Sequence, residues 1–358
     1  MQDIAKIDSN FNVETKIDKE DLKFYDAESK PFRIYGLLRE EEGLCRIPRD
    51  VAEKVSPGVL ALHGHTAGGR IRFVTDSPYV AISAEMKNIG KMCHFALTGS
   101  AGFDLYIDEG EGQRYHGTFR PPFDIETGYE SVLDFPDRKK RVITIDFPLY
   151  SDVKKLYIGL HEQALLDQAP DYRYEGRVVY YGSSITQGGC ASRPGNSYQA
   201  IISRLLDWDY TNLGFSGNAK GEDAITDYIS SLDMQCFVMD YDHNAPSVEH
   251  LENTHERMFK RIRERQPELP IVMVTRPKAH LTDVDMLRLA VVERTYQNAV
   301  DAGDENVYFV RGCDLIAPEL AEVATVDGVH PNDSGFVSMA YGLCKVLKGI
   351  YEKMEHCN

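Results

Sequence analysis

No two of the seven cysteines stand at CxxC spacing. Cys45, Cys93, Cys190, Cys236, Cys313, Cys344 and Cys357 are odd in number and scattered over 358 residues. That argues against a disulfide framework and reads as reduced thiols in a reducing compartment. No apolar run approaches the ~20 residues that a membrane span needs. Met1-Gln2-Asp3-Ile4-Ala5-Lys6 shows no basic region followed by an apolar core. No signal peptide is therefore expected, and a cytoplasmic location is, with a trimmed secreted form as the alternative. Positive charge is scarce as well: 40 Lys and Arg against 56 Asp and Glu give a formal net charge of −16. Neither nucleic acid nor an anionic membrane is expected as a partner. No internal repeat, no low-complexity segment and no zinc-ligand spacing is present, so no metal or other cofactor is expected.

What is there is an ordinary globular composition, 42% hydrophobic and 27% charged, in a chain long enough for two domains. Residues 1–172 read as mostly β. Short alternating or apolar runs at Arg70–Val74, Tyr79–Ala84, Phe103–Ile107, Arg141–Ile145 and Lys155–Leu160 are separated by turn signals. Such a series predicts a sandwich or jelly roll. His63 and His65, either side of Gly64, read as solvated loop histidines. From residue 173 to 358 the texture changes. Strand-like runs at Val178–Tyr181, Tyr210–Leu213, Cys236–Asp240, Ile271–Thr275 and Val307–Val310 alternate with helical stretches. These lie near Ser197–Leu206, Glu222–Ser231, Val248–Gln266, Val284–Ala302 and Ser334–Tyr351. That is a βαβ series, and it predicts a parallel sheet with helices on both faces. The polar stretch 165–176 suits a linker.

The second half carries a constellation. The run Val178-Val179-Tyr180-Tyr181 stops at Gly182-Ser183-Ser184, and a glycine-rich turn then leads to a helix. A strand, tight turn and helix lift Ser184 above the carboxyl edge of a parallel sheet, where open α/β proteins build their sites. Gly217 follows the second strand and Asn244 the third, while Asp327 and His330 precede the last helix. A serine hydroxyl needs a base to become a nucleophile, and an imidazole such as His330 can take and return its proton. Asp327 can hold the other ring nitrogen and fix the tautomer. The backbone N–H groups of Ser184 and Gly217 and the Asn244 amide can stabilise an oxyanion. Glycine at 217 removes a Cβ that would crowd the substrate. Asp333 or Ser334 is a candidate cap for the last helix.

In this order the blocks resemble the SGNH (GDSL-type) hydrolase family: Gly182-Ser183-Ser184-Ile185, Gly217, Asn244, and Asp327 to Pro331 match its four motifs. The resemblance covers about residues 176–352. It implies a flavodoxin-like sheet and an acyl-ester hydrolase without a metal. Two positions depart from the pattern: Ser183 and Ala245 stand where many members carry aspartate. The segment Gly102-Phe103-Asp104-Leu105-Tyr106 resembles the Gly-x-Asp-Leu-Tyr stretch of the β-sandwich that precedes some SGNH esterases implicated in carbohydrate deacetylation. Asp104 is expected to be structural there. Gln187–Gly195 is similar to the loop these esterases carry after the nucleophile, and Arg193 and Arg276 are candidate substrate contacts. The expectation is a serine esterase acting on short acyl, above all acetyl, esters of small molecules or oligosaccharides. A lysophospholipase, arylesterase or thioesterase on the same triad is the enzymatic alternative. A carbohydrate-binding protein is the non-enzymatic one.

Overall fold

The computed structural model describes residues 16–357. The stretch Met1–Lys6 and the side chain of Cys357 lie outside the described part. The first part contains β1 (Leu22–Asp26), β2 (Arg33–Tyr35), β3 (Leu38–Glu40), β4 (Gly43–Cys45), β5 (Arg70–Thr75), β6 (Tyr79–Lys87), β7 (Phe103–Asp108), β8 (Arg114–Phe119), β9 (Gly128–Asp134), β10 (Arg141–Asp146), β11 (Asp152–His161) and β12 (Leu166–Asp167). Three short helices interrupt them: α1 (Arg49–Val55), α2 (Pro57–Leu62) and α3 (Leu97–Ser100). One antiparallel sheet has the order β1-β11-β6-β9 and the other β12-β5-β10-β7-β8, with β2 also on β5. Ile71 and Phe73 of β5, Val80 and Ile82 of β6 and Ile143 and Ile145 of β10 alternate into the core between the two sheets, the period of two that a pleated strand imposes.

The second part contains β13 (Tyr174–Gly182), α4 (Ser184–Gln187), α5 (Tyr198–Leu206), β14 (Trp208–Gly214), α6 (Asp223–Ser230), β15 (Cys236–Asp240), α7 (Val248–Arg265), β16 (Ile271–Val274), α8 (Asp283–Asp301), β17 (Val307–Val310) and α9 (Asp333–Cys357). Its five strands are parallel in the order β14-β13-β15-β16-β17. This is the flavodoxin-like winding, whose direction reverses between β13 and β15. Neighbouring residues on one strand serve opposite cores. Val178, Tyr180 and Val238 pack with α5 and α9 on one face. Val179, Tyr181, Phe237 and Met239 pack with α6, α7 and α8 on the other. Burial on both faces is why these strands read as unbroken apolar runs.

The first part is not confined to its own core. Ile47, Ala52 and Val59, from α1, α2 and the residues before them, join the α6–α8 side of the parallel sheet. Ala67, Phe95, Leu149 and Tyr150 join the α5–α9 side. The outward face of β5 is buried too. Arg70, 2% exposed, pairs with Asp209 and lies 3.9 Å over the ring of Tyr210 on β14. A guanidinium can be buried there because an ion pair and an aromatic face replace its water. Within the stretch expected to be a linker, Leu166 and Asp167 pair with β5, and Tyr174 already belongs to β13.

Candidate active site

Ser184 stands where β13 ends at the reversal point of the sheet, as the first residue of α4. Gly182 permits the turn, since a Cβ there would collide with Thr186 Oγ1 and the Asp240 carbonyl. Ser183, one of the two departures noted above, caps the short helix, its hydroxyl accepting from Ile185 N at 3.1 Å. Ser184 Oγ lies 2.9 Å from His330 Nε2, and His330 Nδ1 lies 2.8 Å from Asp327 Oδ2. The other Asp327 oxygen accepts the backbone N–H groups of His330 at 2.8 Å and Val329 at 3.0 Å. Partial burial works against the Asp327 charge, but the hydrogen bonds from His330 and Val329 outweigh it and hold the carboxyl at about 2. The line Ser–His–Asp is continuous and its carboxylate is ionised. Such a line can move a proton off Ser184 and stabilise the resulting imidazolium.

Gly217 and Asn244 come to the same edge by different routes. Gly217 has φ +69, and no atom lies within 4 Å of where its Cβ would stand. The protein therefore uses glycine here for its left-handed backbone and not to relieve a contact of its own. Asn244 closes a short helical turn, Asp242–Asn244, after β15. One amide hydrogen is given to the Phe215 carbonyl at 2.9 Å, in the loop that carries Gly217. The amide has a second N–H to offer a substrate oxygen.

The two candidate substrate arginines are occupied elsewhere. Arg193 turns into the sandwich: Nη1 donates to Asp104 Oδ2 at 3.0 Å and to the Tyr106 hydroxyl at 2.6 Å. Its guanidinium lies 3.9 Å over the ring of Tyr115. Asp104, fully buried, also accepts from Gly195 N at 3.0 Å and Thr118 Oγ1 at 2.8 Å. This is the structural role expected of it, and it ties the loop after Ser184 to β7. Arg276 donates to Asp285 Oδ1 at 2.6 Å and to the Asp242 carbonyl at 3.3 Å. Arg288, which nothing in the sequence singled out, donates to the carbonyls of Asp242 and Ala245, both at 2.8 Å. Together they brace the Asn244 turn from behind.

Two further readings are corrected. His65 is not a solvated loop histidine. It is buried, and Gln187 Nε2 donates to its Nδ1 at 3.0 Å. Burial, with Arg46 and His63 nearby, lowers its pKa to about 3, so the ring is neutral and able to accept that bond. Gln187 also donates to the Leu149 carbonyl at 3.1 Å and accepts from Ser216 N at 3.1 Å. One buried amide thus joins the first part, the Ser184 turn and the Gly217 loop. The cap of α9 is neither Asp333 nor Ser334. Asn332 Oδ1 accepts from Ser334 N at 3.0 Å and Gly335 N at 3.3 Å, which frees Asp333 to accept from Ser192 N at 2.8 Å. A cavity of about 870 Å³, lined by Glu268, Asn306 and Arg263 among others, opens at the amino ends of β16 and β17, away from Ser184.

Comparison with known proteins gives the same picture. Residues 175–348 match the profile of the GDSL-like Lipase/Acylhydrolase family. Residues 22–166 match the GxDLY profile, described as the N-terminus of SGNH-hydrolase-type esterases. No curated protein matches the chain in sequence. Among solved structures it resembles a GDSL-like lipase from Bacteroides ovatus, at 24% identity over 92% of this chain and 98% of that one, with a TM-score of 0.84. A salicylyl-acyltransferase from a tetracycline biosynthetic pathway follows at 18% identity, 93% and 98% coverage and a TM-score of 0.78. A family two carbohydrate esterase from Cellvibrio japonicus stands at 14% identity, 92% and 98% coverage and a TM-score of 0.62. At these identities the structures show a shared two-part fold. With both profiles matched in order, the chain belongs to the SGNH (GDSL-type) hydrolases, a family of carboxylic ester hydrolases, as a member with the GxDLY N-terminal part.

Proposed function

We propose that the chain is a serine esterase that removes acetyl or other short acyl groups from sugar hydroxyls through an acyl-Ser184 intermediate. The observation that carries this reading is the unbroken line from Ser184 Oγ to His330 at 2.9 Å and on to Asp327 at 2.8 Å. His330 takes the Ser184 proton as Oγ attacks the ester carbonyl. The oxyanion meets the N–H groups of Ser184 and Gly217 and the amide of Asn244. His330 then protonates the sugar oxygen that leaves, and water repeats the sequence on the acyl-serine. The sugar half of the proposal rests on likeness in fold to a carbohydrate esterase. The reading extends to substrates of oligosaccharide size or smaller. Acetate release from a panel of acetylated mono- and oligosaccharides tests it, with p-nitrophenyl acetate as the chemical control. A fluorophosphonate should label Ser184 alone, and Ser184→Ala should abolish turnover in a folded protein. Labelling at another residue, or turnover by the alanine variant, overturns the assignment.

A further inference from the structure

Three soft donors that no spacing in the sequence connects meet beside the triad: His94, Cys190 and His330 offer ligand atoms that all lie within 4.8 Å of one another. His94 comes from the loop between β6 and α3, Cys190 from the turn after α4, and His330 from the loop before α9. The rings of His94 and His330 stand 5.7 Å apart. Cys190 has φ +74, a left-handed backbone that a residue with a side chain rarely takes. His94, Cys190, Ser192 and Asp333 border a cavity of about 530 Å³ beside the cluster.

We propose that His94, Cys190 and His330 form an inhibitory zinc site, which closes on one ion and takes His330 away from Ser184. Two imidazole nitrogens and a thiolate are ligands zinc prefers, and three protein ligands with water in fourth place is a common arrangement. The same set suits magnesium and calcium poorly, since both prefer oxygen. Tetrahedral zinc at ordinary bond lengths separates its ligand atoms by about 3.3–3.6 Å. The cluster must therefore contract by roughly 1 Å, and exposed His94 is the side chain with room to swing in. His330 is already prepared. Its Nδ1 is held by Asp327 at 2.8 Å, the carboxylate–histidine pairing that orients zinc-bound imidazoles and strengthens them as donors. The same pairing leaves the lone pair at Nε2, which can accept the Ser184 proton or bind a metal, but not both. On binding, the Cys190 thiol loses its proton to solvent. Sulfur, two nitrogens and one water then donate electron pairs, and nothing is oxidised or reduced.

The inhibitory consequence rests on the reading of His330 as the base; the binding does not. The test uses the full chain, first freed of metal with EDTA. Zinc should bind with a stoichiometry of one. At ten times its Kd it should leave about a tenth of the p-nitrophenyl acetate activity, by mass action, and EDTA should restore the rest. His94→Ala should keep its basal rate but need at least about 10–100-fold more zinc for the same inhibition, the loss that even an outer-shell change causes. Cobalt in place of zinc should give a thiolate-to-metal charge-transfer absorption that Cys190→Ala abolishes. Equal zinc midpoints in wild type and His94→Ala, zinc bound without loss of activity, or a cobalt spectrum lacking the thiolate band would each overturn the site. If the protein cleaves no ester at all, the zinc count and the cobalt spectrum still decide the site, so that failure is told apart from failure of the esterase reading.

Discussion

The α/β part and the β part contribute to the proposed hydrolytic centre in opposite ways. Ser184, His330, Asp327, Gly217 and Asn244 all come from the α/β part, and the acid and base are open to solvent, with side-chain exposures of 36% for Asp327 and 23% for His330. The β part supplies none of the groups assigned to ester cleavage. Its contribution is buried and lies behind the nucleophile turn. Asp104 holds Arg193 and Gly195 N, His65 and the Leu149 carbonyl accept from Gln187, and the Tyr150 hydroxyl donates to the Ser184 carbonyl at 3.2 Å. Chemistry needs access to solvent and substrate, whereas position needs packing and satisfied hydrogen bonds.

If the division is real, removing the support should cost as much as removing the nucleophile, but for another reason. A chain starting near residue 174 lacks Ile47, Ala52 and Val59 from one face of the parallel sheet and Ala67, Phe95, Leu149 and Tyr150 from the other. It should be inactive and poorly soluble, where Ser184→Ala is inactive and well folded. Circular dichroism and gel filtration of the two proteins separate the cases. A soluble, fully active fragment would show that the β part is an accessory.

Within the α/β part, Asn244→Ala should lower kcat by roughly 10²–10³ with little change in KM, the effect of losing one oxyanion donor. A loss confined to KM would make Asn244 a ground-state contact. Within the β part, Asp104→Ala should act at a distance. It deprives Arg193 of its carboxylate and Gly195 N of its acceptor, which should lower stability by about 3–5 kcal/mol and kcat by up to about 10²-fold through a displaced nucleophile loop. Asp104→Asn, which keeps an acceptor, should recover part of both. Unchanged kcat in the alanine variant would sever the β part from catalysis and leave it a purely structural role.

The same contrast decided what could be read from the sequence. Cys236–Asp240 and Val307–Val310 are strands over the residues expected, because a strand buried on both faces is an unbroken apolar run bounded by turns. The line from Ser184 through His330 to Asp327 was legible because its serine ends such a run and its aspartate and histidine are three residues apart. The parallel sheet followed from the alternation of elements, its flavodoxin-like order from the family resemblance, and the sandwich from the spacing of short strands. α1 and α2, seven and six residues long, were not expected, since they are too short for a 3.6-residue period to show. Ser56 before Pro57 was the signal for α2: Ser56 Oγ accepts from Val59 N at 3.1 Å, with proline in the first turn. His65 was misplaced because its partner Gln187 is 122 residues away. Contacts between segments far apart in the chain leave no trace in local pattern, and that is also why His94 and Cys190 were not seen beside His330.

The smallest expected effect concerns that buried histidine and runs through stability. His65 in the β part and His255 in the α/β part are both neutral. Burial, with Arg46 and His63 close by, lowers His65 to about 3; burial lowers His255 to about 3. In the unfolded chain each returns to an ordinary value near 6.5. Above that pH neither state carries the proton, and the histidines do not alter stability. Between about 6.5 and 3 the unfolded chain binds protons that the folded one refuses, so stability falls as pH falls, by up to about 1.4 kcal/mol per pH unit for each histidine. Thermal unfolding followed from pH 8 to pH 4 should show the loss begin near 6.5. His65→Asn keeps an acceptor for Gln187 but cannot be protonated, so it should flatten the slope by one histidine's share while the activity at pH 8 stays close to wild type. A slope identical to wild type would mean that His65 binds its proton in the folded state, and that the seam between the two parts opens to water in acid.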